Sequence, residues 1–323
     1  MSSSRASSRS WRAPRDGALS EILAELAVDD AADAVTDGRV FVSGVRTRNP
    51  AARVTTGSEI SISPAAGDGV SLEILFESAD LFVAAKPAGL STIPDHRGDA
   101  ASLQGQIARH LGLALERVHA TSRLDREVSG VVTFALTPRA REGLARARAE
   151  GRYVRRYVAL AVGTKAEPLH VWEVPIGRGR DPLRRVAFGR DPEKASTVAR
   201  IVASTSGGSA PVSLLAVSPE TGRTHQIRLH ASHAGLPLLG DRAYGGPVRW
   251  TLGGGKVLGI GRIALHAARV TVPVDFDRPD APPRELSAPV PEALRDLWSA
   301  LGGKGEAWDT ALQCDVSRSS SPS

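Results

Sequence analysis

Residues 131–136 read Val-Val-Thr-Phe-Ala-Leu, a nearly unbroken apolar run between a polar loop and a helix start. A run this short is a strand buried on both faces, since a half-exposed strand would alternate and a buried helix would run longer. The chain must then supply strands to flank it. Leu72–Phe76 and Leu81–Ala85 lie on either side of a turn at Glu77–Asp80, Val154–Val162 follows, and Leu214–Val217 and Ile263–Val270 extend the sheet. Helices fall between them. Leu103, Ile107 and Leu111 mark one, and Thr137 (N-cap), Pro138 (N1) and Gly151 (past the end) punctuate the next. Strands and helices do not alternate strictly, so a mixed α+β sheet is expected rather than a doubly wound or barrel fold.

The 323 residues are enough for a full core and a small satellite. Residues 1–16 and 303–323 read as disordered tails, the first of them basic, because Ser, Arg and Gly dominate and apolar periodicity is missing. Residues 17–66 form a compact module: Leu19, Ile22, Leu23 and Leu26 make one helix face, and a second helix spans Asp30 to Asp37 and stops at Gly38. Val40–Val42, a turn at Ser43-Gly44 and a strand at Glu59–Ile62 complete it. The main domain is expected over 70–302.

No run approaches the roughly 18 apolar residues of a membrane span, and the start has no apolar secretory core. It is Arg- and Ser-rich and acid-poor, which also fits an organellar transit peptide, although it is brief and lacks amphipathicity. The lone Cys314 excludes a disulfide scaffold or a multi-cysteine metal site. A cytoplasmic protein is expected.

Net charge is +6, but it is concentrated: residues 1–15 carry four Arg and no acid, and residues 139–156 carry seven Arg and two Glu. Such patches are footprints for phosphates, or else solubilising faces. Phosphate-loop and zinc-protease patterns are absent. His225, His230 and His233 do not share a helical face and read as hydrogen-bonding frame residues, so no metal is expected.

Three segments carry the chemistry. In RLDREVSG (123–130) one carboxylate, Asp125, sits between Arg123 and Arg126, just before the buried strand. A carboxylate beside guanidiniums stays ionised, which suits a nucleophile rather than a general acid; the alternative is a surface salt-bridge loop. In GRTHQIRLH (222–230), Arg223, His225, Gln226 and Arg228 alternate with Thr224, Ile227 and Leu229, a strip of donors suited to phosphate or carboxylate recognition. Tyr153 and Tyr157 flank Arg155-Arg156, where an aromatic ring can stack on an unpaired base while the cations take its phosphates; equally, a tyrosine simply favours a strand.

With KPAGLST (86–92), the longer stretch SPETGRTHQIRLHASHAGLPLLGDRAYG (218–245), LHAARV (265–270) and ELSAPVPEAL (285–294), these segments resemble the RNA pseudouridine synthases, in particular the branch of ribosomal large-subunit synthase A, over roughly residues 70–300. The family pattern H-R-L-D-x-x-T-S-G appears here as Ser122 through Gly130. The resemblance implies a largely antiparallel central sheet with flanking helices, Asp125 as the catalytic aspartate, and Arg123 as the arginine that helps evert the target base. It likewise implies Tyr157 as the active-site tyrosine and Arg228 as the partner of the aspartate. Arg126, Arg155, Arg156, Arg223 and His225 are the remaining expected RNA contacts. Ser122 stands where the family has His, and Val128 where it has Thr. The stretch GRVFVSGVRTRNPAARVTTGSEISI (38–62) is similar to the small S-four-type RNA-binding module, but Asp29, Asp30 and Asp33 stand where basic residues are expected to face phosphates.

The resemblance implies breakage of C1′–N1 of a uridine in RNA and re-attachment at C5 after the base leaves its stack. No group is added and no electron moves, so no cofactor is expected. Structured RNA, ribosomal or transfer, is the expected partner of a monomer that does not engage membranes. Two other readings remain open: a non-catalytic RNA-binding protein on the same scaffold, and a hydrolase of the N-glycosidic bond, whose product would be free uracil.

Overall fold

The computed structural model describes residues 9–62, 72–95, 99, 101–181, 184–278 and 281–318. They divide into two compact units, one drawn from Met1–Leu72 and Leu90–Arg123, the other from Glu73–Gly89 and Leu124–Ser323. Residues 90–123, expected with the main domain, thus group with the N-terminal module.

The first unit has helices Leu19–Glu25 and Ala31–Thr36 and an antiparallel sheet ordered Arg9–Arg12, Glu59–Ile62, Val40–Val42, Val45–Thr47. Leu19, Ile22, Leu23, Val40, Ile60 and Ile62 form its core. The expectation of a tail over 1–16 is corrected for the described part: Arg9–Arg12 pairs along Glu59–Ile62, and Ala13 is buried. An edge strand needs only its backbone to pair, so arginines are compatible with it and leave no apolar signature. Residues 1–8 lie outside the described set. Among the expected acidic positions, Asp30 is engaged by Arg9 and Arg39; burial pushes its carboxyl up, and their hydrogen bonds outweigh this and leave it below its ordinary range. Helix Leu103–Leu111 also belongs to this unit, capped by Ser102, whose Oγ accepts from Gly105 N.

The second unit is α+β, built on a largely antiparallel sheet. From one edge its strands are Leu169–Trp172, Thr197–Thr205, Val212–Pro219, Val154–Val162, Leu265–Val272, Ser129–Ala135, Leu81–Lys86 and Glu73–Glu77. Arg284–Ser287 adds to Leu265–Val272. Every residue of Ser129–Ala135 is buried, as its apolar run requires, and Phe134 faces Phe82 across the ladder. The pairing of Ser129–Ala135 with Leu265–Val272 is parallel and brings two backbones very close: a Cβ on Gly130 would lie 2.1 Å from the Ala267 oxygen. Glycine is therefore obligatory at the end of the strand that follows Asp125.

Helix Pro138–Ala149 buries Ala140, Leu144 and Ala147 against Leu81, Val83, Val131 and Val270. A second core joins Val158, Leu160 and Leu214 to helices Glu292–Ala300 and Glu306–Gln313 through Leu294, Trp298 and Trp308. The C-terminal tail expected over 303–323 is corrected here as well. Trp308 is 1% exposed, Val316 is buried, and Arg318 pairs with Glu173 and Glu220. A helix this short repeats its apolar positions only once, too little periodicity to register in the sequence. Residues 319–323 lie outside the described set.

Trp308→Ala is expected to cost about 3–5 kcal/mol, the range for a large aromatic removed from a packed core. Urea denaturation measures it as a lowered midpoint; a tail residue would leave the midpoint where it was.

Candidate active site

Asp125 sits in the loop that enters Ser129–Ala135, and main-chain atoms hold that loop. The Asp125 carbonyl accepts from Val128 N at 3.0 Å, and the Arg126 carbonyl accepts from Gly89 N at 2.7 Å. Lys86 Nζ donates to the carbonyls of Arg126 (3.2 Å) and Pro87 (3.0 Å), while Arg126 Nε returns a bond to the Gly89 carbonyl at 3.0 Å. The KPAG turn therefore fixes the height of the aspartate loop. Lys86 is 1% exposed. Burial drives its pKa down to about 7, opposed by the nearby Asp125 charge and reinforced by Arg262 and Arg126.

Arg228 reaches the same place from helix Gln226–His233. The alternating donors of GRTHQIRLH suggested an extended strip, and the structure corrects this: His225 adopts a left-handed φ of 59° and the chain turns into a helix directly after it. Gln226 anchors the start from inside, accepting from Arg223 N and donating to Ser196 O and Thr197 Oγ1. Arg228 then points between two carboxylates, the buried Asp241 and the half-buried Asp125. Its Nε and Nη2 donate to the two oxygens of Asp241, each at 2.7 Å, and Nη1 donates to Asp125 Oδ2 at 2.7 Å. The Asp241 side chain is fully buried and that of Arg228 is 9% exposed. Burial works against the charge on Arg228, but the two aspartates outweigh it and raise its pKa above the ordinary value.

The other oxygen of Asp125, Oδ1, faces His225 Nε2 at 3.8 Å, beyond hydrogen-bond reach. Tyr244 donates to the Arg185 carbonyl at 3.1 Å, so its oxygen accepts from His225 Nδ1 at 2.9 Å. Burial lowers the His225 pKa, and the Asp125 charge opposes it. The Tyr244 ring also lies under the Arg228 guanidinium, 5.1 Å from Cζ to centroid. Asp125, Arg126, Glu127, Arg184, His225, Arg228, Asp241 and Arg242 line a cleft of about 430 Å³. That volume accommodates a nucleotide-sized group.

Tyr157 sits where Val154–Val162 shifts register against Leu265–Val272, between Arg156 and Tyr157. Such a bulge re-aims a side chain at a strand end. The phenol is 6% exposed; burial raises its pKa, with Arg155 opposing, and the Asp125 charge is felt there too. Arg155 donates to the Thr221 and Pro219 carbonyls, and Arg156 binds Ser218, Asp315 and the Val316 carbonyl. Arg223 pairs with Glu193. These three are engaged within the protein and do not line the cleft. Arg126 does line it, and Arg123 is exposed.

Lys86, Asp241 and Tyr244 were not singled out from the sequence. Asp241 and Tyr244 lie in a glycine-bracketed GDRAYG, and that bracketing was the only available signal. Behind the loop, Ser129 Oγ meets His266 Nδ1 at 2.7 Å, and Arg262 Nη2 donates to the same Oγ at 2.6 Å. Burial keeps His266 neutral, with its pKa down to about 4.

A family model described as RNA pseudouridylate synthase matches residues 80–233. The chain is 30% identical over 301 residues to the ribosomal large subunit pseudouridine synthase D of Vibrio parahaemolyticus, covering 88% of this chain and 90% of that one. It is 32% identical over 304 residues to the Xylella fastidiosa protein of the same description, covering 88% of each. Among solved structures, human RNA Pseudouridylate Synthase Domain Containing 1 has the same fold, with a TM-score of 0.53 at 24% identity over 75% of this chain and 98% of that one.

The lowered pKa of Lys86 has a stability consequence with a definite sign. The folded chain binds this proton more weakly than the unfolded chain, so Lys86 is increasingly unfavourable as pH falls from its unfolded value toward about 7. Lys86→Met lacks that proton. Its stability relative to the native chain is expected to improve by about 3 kcal/mol between pH 9.5 and pH 6.5, measured by urea denaturation at both. A pH-independent difference would mean that the ammonium is well solvated.

Proposed function

The chain belongs to the RNA pseudouridylate synthase family, a family of isomerases, and from that premise we propose that it converts a uridine of large-subunit ribosomal RNA to pseudouridine, with Asp125 as the catalytic residue. The choice of RNA is supported by relatives described as ribosomal large subunit pseudouridine synthases that align over 88% of the chain. No helix among the described residues is long and apolar enough to cross a membrane. The proposal assigns the chemistry to the second unit, drawn from Glu73–Gly89 and Leu124–Ser323, and takes the active form to be a cytoplasmic monomer.

One observation carries the assignment of Asp125: Arg228 takes one carboxylate oxygen at 2.7 Å, and the other stays open to the cleft. A carboxylate held by one oxygen keeps its direction and still has a lone pair to offer. In the proposed reaction Asp125 initiates loss of the C1′–N1 bond of the uridine. The uracil turns, C5 bonds to C1′, the C5 proton leaves and N1 takes one up, so nothing is added overall. Tyr157 packs on the base near this centre, and burial pushes the pKa of its hydroxyl above the ordinary value. Arg123 and Arg126 are assigned to the everted nucleotide and its neighbours, where the unstacking cost of a few kcal/mol has to be offset.

Large-subunit ribosomal RNA transcribed with uridine tritiated at C5 is expected to release label to water with the native chain. Asp125→Asn should abolish release, by at least about three orders of magnitude, while RNA binding persists. Release at the native rate from that variant eliminates the assignment, and free uracil in place of pseudouridine would indicate a hydrolase. Arg123→Ala should slow turnover of a paired uridine more than that of one already unstacked. Equal losses on both would remove Arg123 from base eversion.

A further inference from the structure

A small three-stranded sheet borders the cleft, made of Ile176–Arg178 between Arg185–Ala187 and Arg190–Glu193. Both outer strands pair antiparallel with the middle one, although only Phe188 and Gly189 separate them in sequence. The chain must therefore cross directly over the middle strand. Two glycines allow it: a Cβ on Gly177 would lie 2.5 Å from the Gly189 carbonyl carbon, and one on Gly189 would lie 2.7 Å from the Arg178 oxygen. The crossing holds Phe188 at φ 55°, a left-handed conformation that disfavours a bulky side chain.

The Phe188 amide donates to the Pro175 carbonyl at 2.9 Å, but the side chain is left 67% exposed, with its ring edge-on to His233 at 6.5 Å between centroids. Around it the sequence supplies Arg178, Arg180, Arg184, Arg185 and Arg190. Arg178, Arg180 and Arg190 are exposed, and among the described residues no carboxylate pairs with them. The sheet is tied to the catalytic residues on two sides. Arg184 lines the cleft, the Arg185 main chain clamps the Tyr244 hydroxyl, and His233 ends the helix that carries Arg228.

We propose that the strands Ile176–Arg178, Arg185–Ala187 and Arg190–Glu193 form an RNA-gripping platform in which Phe188 stacks on an unpaired base next to the target uridine, while Arg178, Arg180 and Arg190 take the adjoining phosphates. A solvent-facing aromatic ring on the same small sheet as the exposed Arg178 and Arg190 matches single-stranded nucleic acid, which offers a π-face and a charge at every step. An acidic protein surface would satisfy the arginines but would leave the ring without a partner. Strain at Phe188 persists because a ring in the right-handed conformation would project elsewhere. This inference rests on the RNA-directed reading above and adds a contact outside the reacting centre.

The test uses the full chain and two fluorescein-labelled probes, a twelve-residue oligouridylate and an abasic oligomer of the same length. Phe188→Ala is expected to weaken binding of the oligouridylate by about 5- to 150-fold, the span of one lost base–aromatic stack. Affinity for the abasic oligomer should stay as in the native chain, and Phe188→Trp should restore the oligouridylate affinity. Tritium release from saturating ribosomal RNA should be unchanged in rate and shifted only in KM. Unchanged oligouridylate binding, or equal weakening on both probes, overturns the stacking assignment. So does a Phe188-dependent dimer in sedimentation. Absence of tritium release from the native chain would instead sink the catalytic reading, and the binding comparison would still decide the role of Phe188.

Discussion

One guanidinium shared by two carboxylates organises the centre of this molecule. Asp241 occupies the flat edge of Arg228 with two parallel hydrogen bonds, so the fork cannot rotate, and the remaining Nη1 points at Asp125. The pairing must be complete to be stable: an arginine at this depth with one partner missing would cost about 3–5 kcal/mol. Asp241 therefore sets the direction of the Asp125 carboxylate through the arginine they share. The division of labour is unequal in exposure too, with Asp241 wholly buried and the Asp125 side chain 26% exposed.

That geometry depends on how closely the strands approach behind it. Gly130 lets Leu265–Val272 run against Ser129–Ala135, and Ser129 ties the two strands through His266 and Arg262. Burial lowers the pKa of Arg262 to about 10, and the nearest fixed groups it meets are a hydroxyl and carbonyls. Its charge and that of Arg126 push the pKa of the buried Lys86 down further, and the Asp125 charge opposes them. Carboxylate and ammonium thus sustain each other across the aspartate loop, one through its charge and the other through the carbonyl it holds.

The sheet was legible in the sequence because its inner strands carry nearly continuous apolar runs, as in Val131–Leu136 and in Val158–Val162 after Arg155 and Arg156. The cap at Thr137-Pro138 was legible for a local reason as well, since the Thr137 side chain accepts from Ala140 N. Asp125, Tyr157 and Arg228 were reached through motif resemblance, and it took the fold to bring Asp125 and Arg228, which lie 103 residues apart, within hydrogen-bond distance. GRTHQIRLH misled because polar and apolar residues alternate in it, whereas the helix there is set by a left-handed His225 and a buried Gln226, neither of which periodicity reports. Asp241 was invisible for a related reason: a buried carboxylate in a glycine-rich turn looks like any surface turn until its partner is known. The two chain ends were read as tails because an edge strand and a two-turn helix carry too few apolar positions to stand out.

Val128, where the family pattern has Thr, shows what such a site tolerates. Its side chain is 2% exposed, so a methyl group fills the space that a hydroxyl would occupy, and no buried hydroxyl is left needing a partner. Its contribution to the loop is its amide, which closes the turn onto the Asp125 carbonyl whatever the side chain. The Arg126 carbonyl, held by Gly89 N and Lys86 Nζ, works in the same way. Because the aspartate loop is shaped mostly by main-chain hydrogen bonds, neighbouring side chains are free to change while the charged groups at 86, 125, 228 and 241 are not. Asp125, Arg228 and Asp241 are bonded to one another, so a neutral replacement of one would strand a partner, and Lys86 holds the loop through the Arg126 carbonyl.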